Sequence, residues 1–85
     1  MPRYHLNLIN VIDVMDEDGA EYADLAAAKA AAIGSAREMM AAHVRNGRPI
    51  DLAHRIEVAS SDGMVLATIK FRELITIEDS EADAD

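Results

Sequence analysis

Residues 24–47 read DLAAAKAAAIGSAREMMAAHVRNG, and they decide the fold because they carry a start signal, a helical repeat and a stop signal. Asp24 directly precedes the first apolar residue, where its carboxylate can accept a hydrogen bond from an unpaired N–H of the first turn. Gly47 follows the last turn and suits the left-handed conformation that ends many helices. Pro49 then prevents continuation. The stretch therefore predicts one long α-helix with Asp24 as its N-cap.

The helix is predicted to bury one face against a sheet. At about 100° per residue, alanine and larger apolar residues fall on one side of it. Alanine lines the first half of that side, which allows a close approach, whereas methionine in the second half adapts to a wider gap. Gly34 lies inside the helix without a reason that the sequence reveals. The expected buried residues are Leu25, Ala28, Ala32, Ala36, Met39, Met40 and His43, flanked by Ile33 and Val44.

Strand-like sequence precedes the helix. Residues 3–9 alternate between apolar and polar side chains, which is typical of a half-buried strand. For the apolar stretch that follows, up to residue 15, two interpretations remain. The chain either bends at Asn10 and returns as a second strand, which we favour, or continues as an irregular edge. Residues 16–19 (DEDG) predict a turn, and residues 20–22 a short extended piece that leads into the helix.

Strand-like sequence also follows the helix, as a hairpin. Residues 55–60 and 64–71 flank Ser-Asp-Gly at 61–63, and an Asp-Gly pair suits the positive dihedral angles of a two-residue type I′ turn. With Asp62 and Gly63 at the centre, the apolar residues of both strands fall on one face. The predicted pairs are Ile56 with Ile69, Val58 with Ala67, Ser60 with Val65, Arg55 with Lys70, Glu57 with Thr68 and Ala59 with Leu66.

These elements predict an α+β fold of two layers, with one long helix packed on a small, mainly antiparallel sheet in ββαββ or βαββ order. A ββαββ chain with strand 1 beside the last strand, as in a β-grasp fold, satisfies the handedness of crossover connections. We expect residues 1–78 to form a single domain. Residues 79–85 are mostly acidic and predict a disordered tail.

Composition restricts the partners. Sixteen acidic and eight basic side chains give a formal net charge of −8, which repels nucleic acid and anionic membranes, so we expect neither as a ligand. The chain has no cysteine and therefore no disulfide or thiolate metal site. It also lacks an apolar run of membrane-spanning length and a recognisable export signal. We expect a soluble cytoplasmic protein.

No motif predicts catalysis. When Gly19 is aligned with the glycine of a calcium-binding loop, Val14 and Leu25 occupy the first and last ligand positions, so that match fails. His5, His43 and His54 lie on three different elements without metal-ligand spacing. We therefore expect no enzyme, no cofactor and no metal. A pocket lined by the last two histidines and a carboxylate would argue for an enzyme.

Several short motifs point to known families. They are MPRY at 1–4, DEDG at 16–19, Asp24-Leu25 with the alanine-rich helix, SARE at 35–38, GRPIDL at 47–52, RIEV at 55–58, Asp62-Gly63 and Phe71-Arg72. Through them, residues 1–78 resemble a family of short bacterial proteins known only as a domain of unknown function and common in alphaproteobacteria; this resemblance implies no activity. Tyr4, the Asp-Gly turn and Ala36-Arg37-Glu38 are similar to HicB-like antitoxins, which would imply a small basic toxin as partner.

The face of the sheet that points away from the helix is the predicted site of function. Apolar residues at its centre with charges around them are typical of a protein interface, and edge strands can pair between copies. We expect a non-enzymatic module that binds a protein partner or forms a homo-oligomer. The alternatives are an antitoxin-like protein and a small-molecule-binding domain. The predicted interaction residues are Ile9, Arg55, Ala59, Leu66 and Lys70.

Overall fold

The structure is a computed structural model that describes residues 1–10 and 12–79. Along the chain it contains β1 (Arg3–Ile9), β2 (Ala20–Glu21), α1 (Leu25–Arg45), β3 (Arg55–Ser60), β4 (Val65–Lys70) and a 3-10 turn at Phe71–Glu73. The strands form one antiparallel sheet in the order β2-β1-β3-β4. The helix packs on one face of this sheet. The predicted two-layer α+β fold is confirmed in its ββαββ form, while residues 80–85 of the predicted tail lie outside the described residues.

Both predicted ends of the helix are confirmed. The Asp24 carboxylate accepts the N–H of Ala27 at 2.9 Å, so it caps the first turn. At the other end Gly47 has a φ of +68°. This conformation turns the chain so that the Arg48 N–H reaches the carbonyl of His43 at 2.8 Å. The helix boundaries therefore follow from local sequence signals.

The core lies between the alanine face of α1 and the middle of the sheet. Ala28, Ala32 and Ala36 are fully buried, as is Val58 of β3. Leu25, Ile33, Met39 and other larger residues pack around this centre and remain partly exposed. Nothing in the structure explains Gly34, where an added Cβ would meet no atom within 4 Å.

The expectation that Val44 flanks the buried face is wrong, because its side chain is 67% exposed. After α1 the chain returns on the side of His43, whose Nδ1 donates to the carbonyl of Pro49 at 2.9 Å. Ile50 then packs against the core. This connector covers His43 and leaves Val44 in solvent.

The prediction that β1 lies beside the last strand is wrong. β1 pairs with β3 from Tyr4↔Ser60 to Ile9↔Arg55, and β4 forms the edge of the sheet. The helix begins near the start of β1, where Tyr4 and Tyr22 approach each other, and ends near Leu8. The connector between α1 and β3 thus brings the chain to the end of β1. For this reason β3 runs back antiparallel beside β1.

The predicted return after Asn10 is present, but in its described part, residues 12–15, it is not a strand. Leu8 and Val14 form an isolated bridge with N–O distances of 2.9 and 2.7 Å. The next backbone donor along β1, the Leu6 N–H, bonds to the side chain of Asp16 instead of to a strand carbonyl. That side chain interrupts the ladder, and the second strand forms only later, at Ala20–Glu21.

The hairpin has the predicted register over most of its length and a different turn. The pairs from Arg55↔Lys70 to Val58↔Ala67 are confirmed. The type I′ turn is wrong, because among the described residues only glycines have positive φ, so Asp62 does not. Ser60 instead pairs with Met64, which closes a three-residue loop. The register shifts by one residue next to Ala59, which therefore pairs with Val65 rather than Leu66.

We predict that Gly19→Ala destabilises the domain more than Gly47→Ala. Both glycines have φ near +67°, at +66° and +68°, so both variants carry a dihedral cost of about 1–2 kcal/mol. A Cβ at Gly19 would also lie 2.7 Å from the Tyr4 carbonyl oxygen, whereas a Cβ at Gly47 meets nothing within 4 Å. Urea unfolding of the two variants measures the difference, which we expect to exceed about 1 kcal/mol. Equal losses would contradict the close approach of residues 16–19 to β1.

Candidate functional site

One face of the sheet is not covered by the helix, and we call it the open face. It carries alternate residues of the three long strands, in the cross-strand rows His5-Ala59-Val65, Asn7-Glu57-Thr68 and Ile9-Arg55-Lys70. A concave region, here called the trough, lies at the first row. A second one, the basic pocket, lies beside the third row. Both are therefore positioned by the register of the sheet.

The trough has a volume of about 310 Å³. Ala59 and His5 are neighbours in its first row, and the chain rises on both sides of them, at residues 15–17 and at the β3–β4 turn. Carboxylates from β3 and from the first wall face the same space. The lining residues are His5, Asn7, Met15, Asp16, Glu17, Glu57, Ala59, Ser60, Ser61, Gly63 and Val65.

Asp16 builds the first wall of the trough. Its two carboxylate oxygens accept the N–H groups of Leu6 and Gly19, each at 3.1 Å. Its own N–H donates to the Asn7 side chain at 2.8 Å, and its carbonyl accepts the Nδ1–H of His5 at 2.6 Å. The DEDG sequence is thus a turn held to β1 by one carboxylate, which leaves the neighbouring residues, Met15 and Glu17, exposed.

Large apolar side chains are exposed on both sides of the trough. Met15 is 57% exposed on the first wall, and Val65 is 48% exposed on the second. Met64 and Leu66, beside Val65, are 61% and 40% exposed. Met64 directly precedes β4, and Val65 and Leu66 are the first two residues of that strand. Of these four residues, Met15 and Val65 line the trough itself, one on each wall.

The predicted interaction residues separate into two groups. Ala59 lines the trough but is only 4% exposed, and Leu66, 40% exposed, follows the lining residue Val65 on β4 without lining the trough itself. Arg55 and Lys70 are cross-strand partners that line the basic pocket instead. Ile9 is 8% exposed and offers little surface to a partner. Their role in binding stays a prediction. Sequence reasoning missed Met15, whose position beside the anchoring Asp16 was the available signal.

The basic pocket has a volume of about 260 Å³. It is formed by the connector that precedes β3, by the ends of both hairpin strands and by the 3-10 turn. A backbone hydrogen bond from the Phe71 N–H to the His54 carbonyl at 3.1 Å joins the connector to this turn. The pocket is lined by Leu52, Ala53, His54, Arg55, Lys70 and Arg72.

A third concavity, the histidine pocket, lies at the end of α1 and holds about 100 Å³. It contains the combination that sequence analysis named as an argument for an enzyme, namely His43, His54 and a carboxylate, Asp51. His5 lies elsewhere, in the trough. The lining is otherwise apolar and consists of Leu8, Met39, Met40, Ile50 and Phe71.

The two histidines of this pocket hold the connector in place. His43 Nδ1 donates to the Pro49 carbonyl at 2.9 Å. His54 Nδ1 lies 3.1 Å from both the Asp51 carbonyl oxygen and the Asn10 amide nitrogen, and the His54 ring stacks on Phe71. None of the described lining residues is a serine, threonine, cysteine or lysine that could act as a nucleophile. The described residues also contain no group of three side chains suited to a metal ion. In this structure the two rings serve to hold the connector against the end of α1.

Asp51 has a pKa below its ordinary value of 3.8. The main cause is the hydrogen bond that its Oδ2 accepts from the Asn10 side chain at 2.9 Å, followed by the bond from the Ala53 N–H. Both bonds favour the charged carboxylate. Its contribution to stability is therefore present above about pH 3.8 and is lost as the pH falls through the lowered folded-state pKa.

Comparison with protein-family models assigns the chain to one family. The family model described as "Domain of unknown function (DUF6894)" matches residues 3–72, which include all four strands and the helix. The chain belongs to the DUF6894 family. No curated protein and no solved structure matches this DUF6894 domain. Among its described residues, no helix is long and apolar enough to cross a membrane.

We predict that Asn10→Ala raises the pKa of Asp51 back toward 3.8, because it removes the largest cause of the shift. An NMR titration of the side-chain carboxyl carbons measures this pKa directly. Asp13→Ala serves as the control, because the Asp13 side chain bonds to the backbone of Asn10 and not to Asp51. An unchanged pKa in Asn10→Ala would contradict the link between residues 10 and 51.

Proposed function

We propose that this DUF6894 domain is a non-enzymatic interaction module that binds a protein partner at the trough. The observation that carries the proposal is the exposure of Met15 and Val65 on opposite walls of the trough, with Met64 and Leu66 exposed on either side of Val65 in the sequence. Exposed apolar side chains gathered around a concavity, with polar groups at the rim, resemble the centre and rim of a protein interface.

The charges of the trough favour a cationic partner. Glu17 and Glu57 line it, although Glu57 also contacts Arg55, and the whole chain has a net charge of −8. Two troughs placed face to face would bring these like charges together, which opposes self-association at this surface. A partner that presents an apolar side chain beside lysine or arginine would satisfy both features. The acidic rim equally supports the antitoxin-like alternative, in which that partner is a small basic toxin.

The remaining expectations belong to the same proposal. The hydrogen bonds of His43 and His54 to the connector give both rings a structural role, which supports the non-catalytic proposal. The net charge supports a protein partner over nucleic acid or an anionic membrane. We place the protein in the cytoplasm, where a chain without cysteine needs no oxidising compartment.

We predict that Val65→Lys abolishes capture of the partner from the native host. The tagged protein, Val65→Lys and Val44→Lys are each purified, and bound proteins are identified by mass spectrometry. Val44 is the matched control, because its side chain is also exposed, at 67%, but lies on the helix away from the trough. Partner binding should be lost by at least about tenfold in Val65→Lys and retained in Val44→Lys.

Three outcomes separate the alternatives. The proposal is supported if a basic protein is captured by the parent and by Val44→Lys but not by Val65→Lys. If that protein is a small basic ribonuclease, the antitoxin-like form is selected. Equal loss in both variants would contradict a role for the trough. Self-association at the trough, detected by analytical ultracentrifugation and abolished only by Val65→Lys, would contradict the hetero-partner.

A further inference from the structure

The basic pocket is unusual in this protein because it concentrates positive charge on an acidic chain. Arg55, Lys70 and Arg72 line it, which places three of the eight lysine and arginine residues around one concavity. None of its described lining residues is acidic. A random distribution of solubilising charge would mix carboxylates into such a group, since they are twice as numerous in the chain.

The sheet register and the 3-10 turn hold these cations together. Arg55 and Lys70 are direct cross-strand partners, so their side chains leave the same face of the sheet. Arg72 follows two residues later in the 3-10 turn, which is tied to the connector by the bond between Phe71 and His54. Like charges directly opposite each other on two strands destabilise a sheet. An anion between them would remove this repulsion.

Two nearby carboxylates are already engaged, and a third, Glu73, lines a neighbouring concavity with Lys70 rather than the basic pocket. Glu57 accepts the Nε–H of Arg55 at 3.4 Å, a contact that orients the guanidinium from one side. Asp51 does not line the basic pocket and accepts hydrogen bonds from Asn10 and Ala53. The ion pairs among the described residues include neither Lys70 nor Arg72. The pocket therefore keeps at least two cationic groups available to a ligand.

We propose that the basic pocket binds the phosphate group of a small soluble molecule, such as a phosphomonoester or a diphosphate. A phosphate carries about two negative charges and three acceptor oxygens, which matches two arginines and a lysine better than a single carboxylate does. The volume of 260 Å³ is close to the lower end of the range of about 300–1,000 Å³ for small-molecule sites, so the ligand is small. Leu52, 39% exposed, supplies an apolar wall for the organic part.

The net charge of the chain permits this local attraction. At physiological ionic strength, exposed charges are screened beyond about 8 Å, so a small anion in the pocket responds mainly to the three cations. A long polyanion or an anionic bilayer would extend over the acidic surface as well. This difference in size distinguishes a small phosphate ligand from the nucleic acids and membranes that the net charge disfavours.

The test is an NMR titration of the full chain with inorganic phosphate and with pyrophosphate, followed by amide ¹H–¹⁵N shifts. Sodium chloride at matched ionic strength is the blank. We expect saturable shifts confined to residues 52–55 and 70–72, with pyrophosphate binding more tightly than phosphate. Arg72→Gln should weaken pyrophosphate binding by about fivefold or more, because it removes a charge-assisted contact.

Arg37→Gln is the matched control, because it removes the same charge from an exposed position on α1 that lines none of the concavities described above. It should bind pyrophosphate as the parent does. Equal weakening in both variants, or shifts reproduced by sodium chloride, would overturn the proposal. It would also be overturned if a peptide of residues 78–85 (EDSEADAD), or vesicles containing phosphatidic acid, bound these residues more tightly than pyrophosphate.

Discussion

The contact between the alanine face of α1 and β3 is the one on which the rest of the structure depends. Ala28, Ala32 and Ala36 are fully buried, and Val58 is the largest fully buried side chain. Because an alanine ends at Cβ, the helix lies close to the sheet and the core is thin. A thin core gains less from hydrophobic burial than one of leucine and phenylalanine, so the fit between the two layers has to be close.

This arrangement also explains where binding surfaces are found. The helix covers one face of the sheet, and residues 14–21 return beside β1, where residues 15–17 form a wall at one side of the open face. The open face therefore retains a trough with carboxylates and exposed apolar side chains at one end and a basic pocket at the other. The register of β1, β3 and β4 separates the two surfaces. Both proposals thus rest on the same sheet but on different residues.

Features with local signals could be predicted from the sequence. The Asp24 cap, the glycine end of the helix, β1 and most of the hairpin register depend on neighbouring residues or on a short turn. The strand order could not be predicted, because it depends on where a 21-residue helix delivers the chain relative to β1. The same limit applies to the candidate sites. The trough forms because the Asp16 carboxylate, rather than a backbone carbonyl of a neighbouring strand, accepts the Leu6 N–H. No regular sequence pattern in the DEDG motif predicts this hydrogen bond.

The most direct test of this account compares Ala32→Leu with Ala30→Leu by urea unfolding. Ala32 is fully buried against the sheet, whereas Ala30 is exposed on the same helix, so the two variants share their change in helix propensity. We predict that Ala32→Leu lowers the free energy of unfolding by about 1–3 kcal/mol through overpacking, while Ala30→Leu changes it by less than about 0.5 kcal/mol. An Ala32→Leu variant as stable as Ala30→Leu would mean that the helix and sheet are not closely packed at this face.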